Sequence, residues 1–389
     1  MTWQLVVRVS LLLLVLFSLT AALRHSGLYL GRNTSLPPGF SETLVATGLS
    51  QPTSLTVAPD GRLFITEQRG AVRIVENNVL LARPFVELET APGYKHGLLG
   101  LAFDPDFETN QWVYVYDAAP STFHNRLTRF TAQGNVAQLN SRVTLFESEP
   151  FSGLTNHHGG SPLFDARGNL YLSVGDDARS PDPQQLDSLF GKVLRLTRAG
   201  APAPDNPFVN TANARPEIFA YGFRHPYNLA LDARTGTILV NDVGEEVAEE
   251  INLLRGGANY GWNVCEGKCE PPRADLQDPL LSYPHGRDSA SGCAIVGGTF
   301  YQPPQIQFPP DYADRYFYAD LCVGWIRALN LTAGDSILFA TGLFNPIDLE
   351  IGNDGALYYL ERGRGADYYN TKFPGQLWRI DYRSTEPHR

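Results

Sequence analysis

Along the chain, polar turns built on aspartate and glycine are followed by short apolar runs, and the unit recurs. Asp60-Gly61 leads into Leu63-Phe64-Ile65, Asp165-Ala166-Arg167-Gly168 into Leu170-Tyr171-Leu172, Asp232 to Gly236 into Ile238-Leu239, and Asp354-Gly355 into Leu357-Tyr358-Tyr359. Two looser copies run from Asp104-Pro105-Asp106-Phe107 into Val113 to Tyr116, and from Pro310-Asp311-Tyr312 into Tyr316 to Tyr318. In each copy the turn residues predict a tight reversal and the apolar run a strand. One or two such turns are ordinary in any β protein. Copies recurring at irregular spacings of roughly 43 to 80 residues predict an all-β, six-bladed β-propeller of four-stranded blades.

Composition agrees, with 36 Gly, 28 Pro, 18 Tyr and 21 Phe but only 19% charged residues. No long stretch has a helical period. Glu42 to Ala46 is placed to pair with Gln376 to Tyr382, which would cover two strand edges and close the ring. No low-complexity linker divides residues 36–383, read as one domain, with 384–389 as a tail.

Residues 1–35 differ in kind. Val6 to Leu23 is almost wholly apolar and includes Thr20-Ala21-Ala22, so it reads as a signal peptide or a membrane anchor. Arg32 to Pro38 reads as a short tether. Four cysteines fit an exported protein, periplasmic or extracellular. Three pairings are open, and the expected one is Cys265 with Cys269 and Cys293 with Cys322. A four-cysteine zinc site fits poorly, since one pair lacks the two-residue spacing.

A formal charge of -10 and the lack of any Lys/Arg run argue against nucleic acid as a partner. Two Asn-X-Ser/Thr matches, at Asn33 and Asn330, matter only in a glycosylating host. The candidate chemistry lies in three stretches. His157 heads a glycine turn, Asn156-His157-His158-Gly159-Gly160, where a ligand can come close to the main chain and an imidazole can act as a base. Arg224 precedes His225-Pro226, where the proline imposes extended geometry, and its guanidinium can hold a carboxylate or an oxyanion. The loop Asp242-Val243-Gly244-Glu245 among several carboxylates offers the oxygen ligands that calcium prefers, without EF-hand spacing.

The ordered set Gly97-Leu98-Leu99-Gly100-Leu101-Ala102-Phe103-Asp104-Pro105-Asp106-Phe107, His157-His158-Gly159-Gly160, Tyr221-Gly222-Phe223-Arg224-His225-Pro226, Glu249-Glu250-Ile251-Asn252 and Asn259-Tyr260-Gly261-Trp262 resembles the soluble glucose/sorbosone dehydrogenase family. The resemblance covers roughly residues 40 to 382. It implies a propeller that binds pyrroloquinoline quinone and calcium on one face and oxidises an aldose-type sugar, passing electrons to an acceptor outside the cytoplasm. By position it implies His157 as catalytic base, Arg224 as the cation at the quinone oxygen, and His225 beside it where an asparagine is usual. Lys95 or His96 falls where a cofactor-binding glutamine is usual, and the backbone carbonyls of Gly244 and Glu245 fall where calcium is bound.

Departures from the family concern the cofactor clamp. The family's cofactor-binding lysine falls near Cys322 of this chain and two of its arginines near Asn345 and Ile347, with Arg362 or Arg364 as substitutes from another loop. Asp242-Val243-Gly244 and the Cys293 and Cys322 pair look more like the branch that holds hedgehog-interacting-protein-like propellers. That branch implies the alternative, an extracellular binding propeller that keeps the scaffold without redox activity. A calcium-dependent lactonase would want side-chain carboxylates and asparagines around a central ion, a pattern not evident here.

Overall fold

The computed structural model describes residues 33–91, 96–120, 123–152, 156–160, 162–179, 182–365 and 371–383. Six antiparallel sheets account for nearly all of its strands. Their first strands, Pro52–Val57, Leu98–Phe103, Leu163–Phe164, Pro226–Leu231, Ile295–Phe300 and Pro346–Ile351, open blades 1 to 6 in chain order. Each of these strands packs against the first strands of both neighbouring blades, so together they complete a circle. The sixth blade is finished by the start of the chain: Phe40–Leu49 pairs antiparallel with Gly375–Tyr382, with Phe40 opposite Tyr382 and Leu44 opposite Trp378. The expected closure and the six-bladed propeller are therefore both observed.

Aromatic and branched residues fill the space between blades. Tyr114, Tyr116 and Leu127 of blade 2 meet Leu170, Leu172 and Leu194 of blade 3. Phe64 and Val72 of blade 1 meet Val113, Val115 and Phe130 of blade 2. Each fully buried side chain of this kind stabilises the ring by about 1.5 to 3 kcal/mol relative to exposure.

The repeated turns all join a first strand to a second and so share one face of the ring. Asp165 shows the device: its Oδ1 accepts the N–H groups of Arg167 at 2.9 Å and Asn169 at 2.8 Å, closing the turn with its own side chain. Two copies differ from a tight turn. Phe107–Asn110 forms one helical turn, and Pro310–Tyr312 a 3-10 turn, because neither stretch has the glycine that supplies a left-handed turn residue. Phe107–Asn110 is the one α-helix among the described residues.

Both disulfides have the expected partners, Cys265 with Cys269 and Cys293 with Cys322. Val6 to Leu23 lies outside the described residues, among which no helix is long and apolar enough to cross a membrane. Ser35, expected in a tether, exchanges backbone hydrogen bonds with Thr341 at 3.0 and 3.1 Å, so this part of the tether is docked on the outer strand of blade 5.

Candidate active site

Strand direction places the candidate residues on the face opposite the repeated turns. His157 and Arg224 precede the first strands of blades 3 and 4, while Asp176 and Glu245 follow their second strands. They meet at a cavity of about 430 Å³, lined by His157, Asp176, Arg224, Glu245, Trp262 and Glu266 among others.

His157 sits in left-handed backbone with φ 58°, a conformation that costs a non-glycine residue about 1 to 3 kcal/mol. Its Nδ1 lies 2.7 Å from Asp176 Oδ1, which also accepts the N–H of Ala178 at 2.8 Å. Both residues are buried. The glycines around them permit close approach: a Cβ on Gly160 would lie 1.7 Å from the Tyr227 carbonyl oxygen, and one on Gly175 2.0 Å from that of His157. His158 turns away into an aromatic group with Phe151, at a centroid distance of 4.1 Å, and His96, at 4.4 Å.

Arg224 is built from its backbone outward. Asp242 Oδ2 accepts its N–H at 3.0 Å and Asp242 Oδ1 accepts that of His225 at 2.6 Å. The guanidinium donates to the Val243 carbonyl at 3.1 Å, lies 3.9 Å from Glu245 Oε1 and sits 5.5 Å from the centroid of the Trp262 ring. Its Nε is buried without an acceptor. Burial raises the carboxyls of both Asp242 and Glu250, and the charge of Glu250 raises Asp242 further. The His225 ring stacks on that of His157 with centroids 5.2 Å apart.

The loop at Gly244 and Glu245 is held by a carboxylate from elsewhere. Glu266 Oε1 accepts the N–H groups of Glu245, Glu246, Val247 and Ala248 at 2.6, 3.1, 3.0 and 3.1 Å. Burial works to raise the Glu266 carboxyl, but these donors outweigh it and hold it below its ordinary value. Gly244 is required by packing, since a Cβ there would lie 1.9 Å from the Ala248 carbonyl oxygen.

The structure thus brings His157, Arg224, His225, Gly244 and Glu245 together. His96 lies instead beside Phe151, Phe123 and His158, and Lys95 lies outside the described residues. At the clamp positions, Cys322 is in a disulfide, Ile347 is core, and Asn345 Nδ2 donates to the Gly363 carbonyl at 3.1 Å. Arg362 is buried, donating to the Pro52 carbonyl at 3.1 Å and to Gln68. Asp176, Trp262 and Glu266, given no role by sequence, also line the cavity. Trp262 Nε1 donates to Asp176 Oδ2 at 2.8 Å. An acidic pair directly after a strand, Asp176-Asp177, was the available signal for the first.

The chain is 28% identical over 339 residues to the aldose sugar dehydrogenase YliI of Escherichia coli, covering 80% of this chain and 87% of that one. It is 30% identical over 226 residues to mouse (Mus musculus) hedgehog-interacting protein, covering 51% of this chain and 32% of that protein. The fold matches the pyrroloquinoline quinone-bound aldose sugar dehydrogenase of Streptomyces coelicolor with a TM-score of 0.70 and 24% identity, covering 89% of this chain and 100% of that one. The glucose / sorbosone dehydrogenase family model matches residues 49–370, and the chain belongs to that family.

Proposed function

We propose that this protein oxidises an aldose-type sugar, with pyrroloquinoline quinone as the acceptor of hydride and His157 as the base. The observation that carries the reading is the His157–Asp176 pair at the cavity wall. A carboxylate at Nδ1 fixes the ring proton there, which makes Nε2 the basic nitrogen of the neutral ring. Nε2 takes the sugar hydroxyl proton, and Asp176 balances the charge the ring then carries.

The residues present suit the quinone at its reactive end. Arg224 offers a buried Nε donor that lacks an acceptor, a match for an oxygen on which charge develops. Trp262 supplies a flat wall for a ring system. Bound quinone supplies the two-electron chemistry that no side chain here can perform. Arg224 and His225 would meet the cofactor, Lys95 and His96 are proposed on the resemblance alone, and the carbonyls of Gly244 and Glu245 would hold Ca2+ beside the Glu245 and Glu266 carboxylates. Two disulfides support export to an oxidising compartment, with residues 6–23 as signal or anchor.

A second reading, a binding propeller without redox activity, is supported by the clamp positions. Cys322, Asn345 and Ile347 offer no cation, and Arg362 is engaged in the ring itself. Calorimetry of residues 36–389 with calcium and the quinone, together with dye reduction over a panel of aldoses, separates the two. Saturable binding with reduction that disappears in His157→Ala is the expected result. No binding at about tens of micromolar quinone, roughly 6 to 7 kcal/mol of affinity, would overturn the dehydrogenase reading.

A further inference from the structure

Trp262 belongs to blade 4 but is fastened to blade 3. The segment leading to it runs parallel to the outermost strand of blade 3, with Gly257 N–H to Phe219 O at 2.8 Å, Tyr260 N–H to Tyr221 O at 2.9 Å and Trp262 N–H to Gly222 O at 2.9 Å. The Trp262 carbonyl accepts from Gln184 Nε2 at 2.5 Å. Gln184 and Asn259 exchange amide hydrogen bonds in both directions, at 3.1 and 2.8 Å. The turn Asp182–Gln184 is itself pinned by Lys192, whose Nζ donates to the Asp182 and Pro183 carbonyls at 3.0 and 3.2 Å.

We propose that Trp262 is a positioning residue for the His157–Asp176 pair, and that Gln184 and Asn259 hold it across the boundary between blades 3 and 4. With only Oδ1 engaged by His157 and Ala178, the Asp176 carboxylate could turn about its Cβ–Cγ bond. The indole N–H on Oδ2 fixes its plane and draws off part of its charge, so that Asp176 holds the His157 ring in one tautomer without binding the imidazolium too tightly. Arg224, Glu245 and Glu266 share the cavity with His157, and His225 stacks on it. Replacing Trp262 with phenylalanine changes none of these and keeps an aromatic face for Arg224.

The inference rests on His157 as the base, but its test does not need the quinone. Ring nitrogen NMR of the protein without cofactor, with His157 assigned by loss of its signals in His157→Gln, reports tautomer and titration midpoint. Wild type is expected as the Nδ1–H tautomer. Trp262→Phe is expected to mix tautomers and raise the His157 midpoint by roughly half a unit to one unit, and Gln184→Ala to do the same more weakly. An unchanged tautomer and midpoint in Trp262→Phe would overturn the proposal. Should that variant not fold, Gln184→Ala decides by the same two readings. Failure to bind quinone would remove the dehydrogenase reading and leave this result intact. Where the loaded enzyme is active, Trp262→Phe should lower kcat more than it raises KM.

Discussion

Asp176 Oδ1 and His157 Nδ1 lie 2.7 Å apart at the junction of two loops that flank blade 3, and the contact joins residues 19 positions apart. Asp176→Asn keeps the shape of this contact and removes its charge. An amide can present either its oxygen or its NH2 group to Nδ1, so the ring tautomer is no longer fixed. A fall in kcat of about 10²- to 10⁴-fold is expected, the range of a positioned base, measured by dye reduction with saturating quinone. A change below about tenfold would mean that the pair is structural.

Glu266 gives a pH-dependent test of the Gly244 loop. Its folded pKa is depressed, so its contribution to stability is present above its unfolded value and is lost as pH falls through the folded value. Glu266→Gln should lower Tm at neutral pH, and the gap from wild type should close below about pH 4. A gap that persists in acid would show that packing, and not the carboxylate charge, holds the loop.

Asp348 behaves with the opposite sign. It is buried on the first strand of blade 6, where it accepts the N–H groups of Leu55 at 2.8 Å and Leu349 at 2.9 Å, and burial pushes it up to about 7 despite them. A raised folded pKa means stability that is fully present below the unfolded value and is lost as pH rises through about 7. Thermal melts at about pH 5 and about pH 8 should therefore differ less in Asp348→Asn than in wild type. Equal differences in the two proteins would contradict the assignment.

The two disulfides should contribute unequally. Cys293 and Cys322 are 29 positions apart and Cys265 and Cys269 only 4. Chain entropy assigns about 3 to 4 kcal/mol to the first and about 2 to the second. Paired serine variants, compared by denaturant unfolding, should keep that order.

The scaffold was legible because its signal is local. Asp60, Asp104, Asp165, Asp232 and Asp354 each accept a nearby backbone N–H with their own side chain, so these short stretches announce their blades without reference to one another. His157 and Arg224 were legible for a similar reason, lying beside glycines and a proline that mark special backbone. Trp262 and Asp176 stand 86 positions apart, and nothing in either stretch points to the other. Glu266 was likewise hidden, since a carboxylate between two cysteines does not reveal the four N–H groups it will meet. The turns at Asp104 and Pro310 were read as tighter than they are, because the copies lack glycine and the chain takes a helical path instead.

The closure of blade 6 also bears on how the protein is made. Residues 40–49 are synthesised before blades 1 to 5 and residues 375–382 after them, yet they share one sheet. Blades 1 to 5 can assemble as the ribosome proceeds, while residues 40–49 must wait with an unpaired edge. Completion of the ring therefore waits until residues 375–382 are available to pair. In a cell that exports this chain, any factor that shields the early edge during transit acts on residues 40–49.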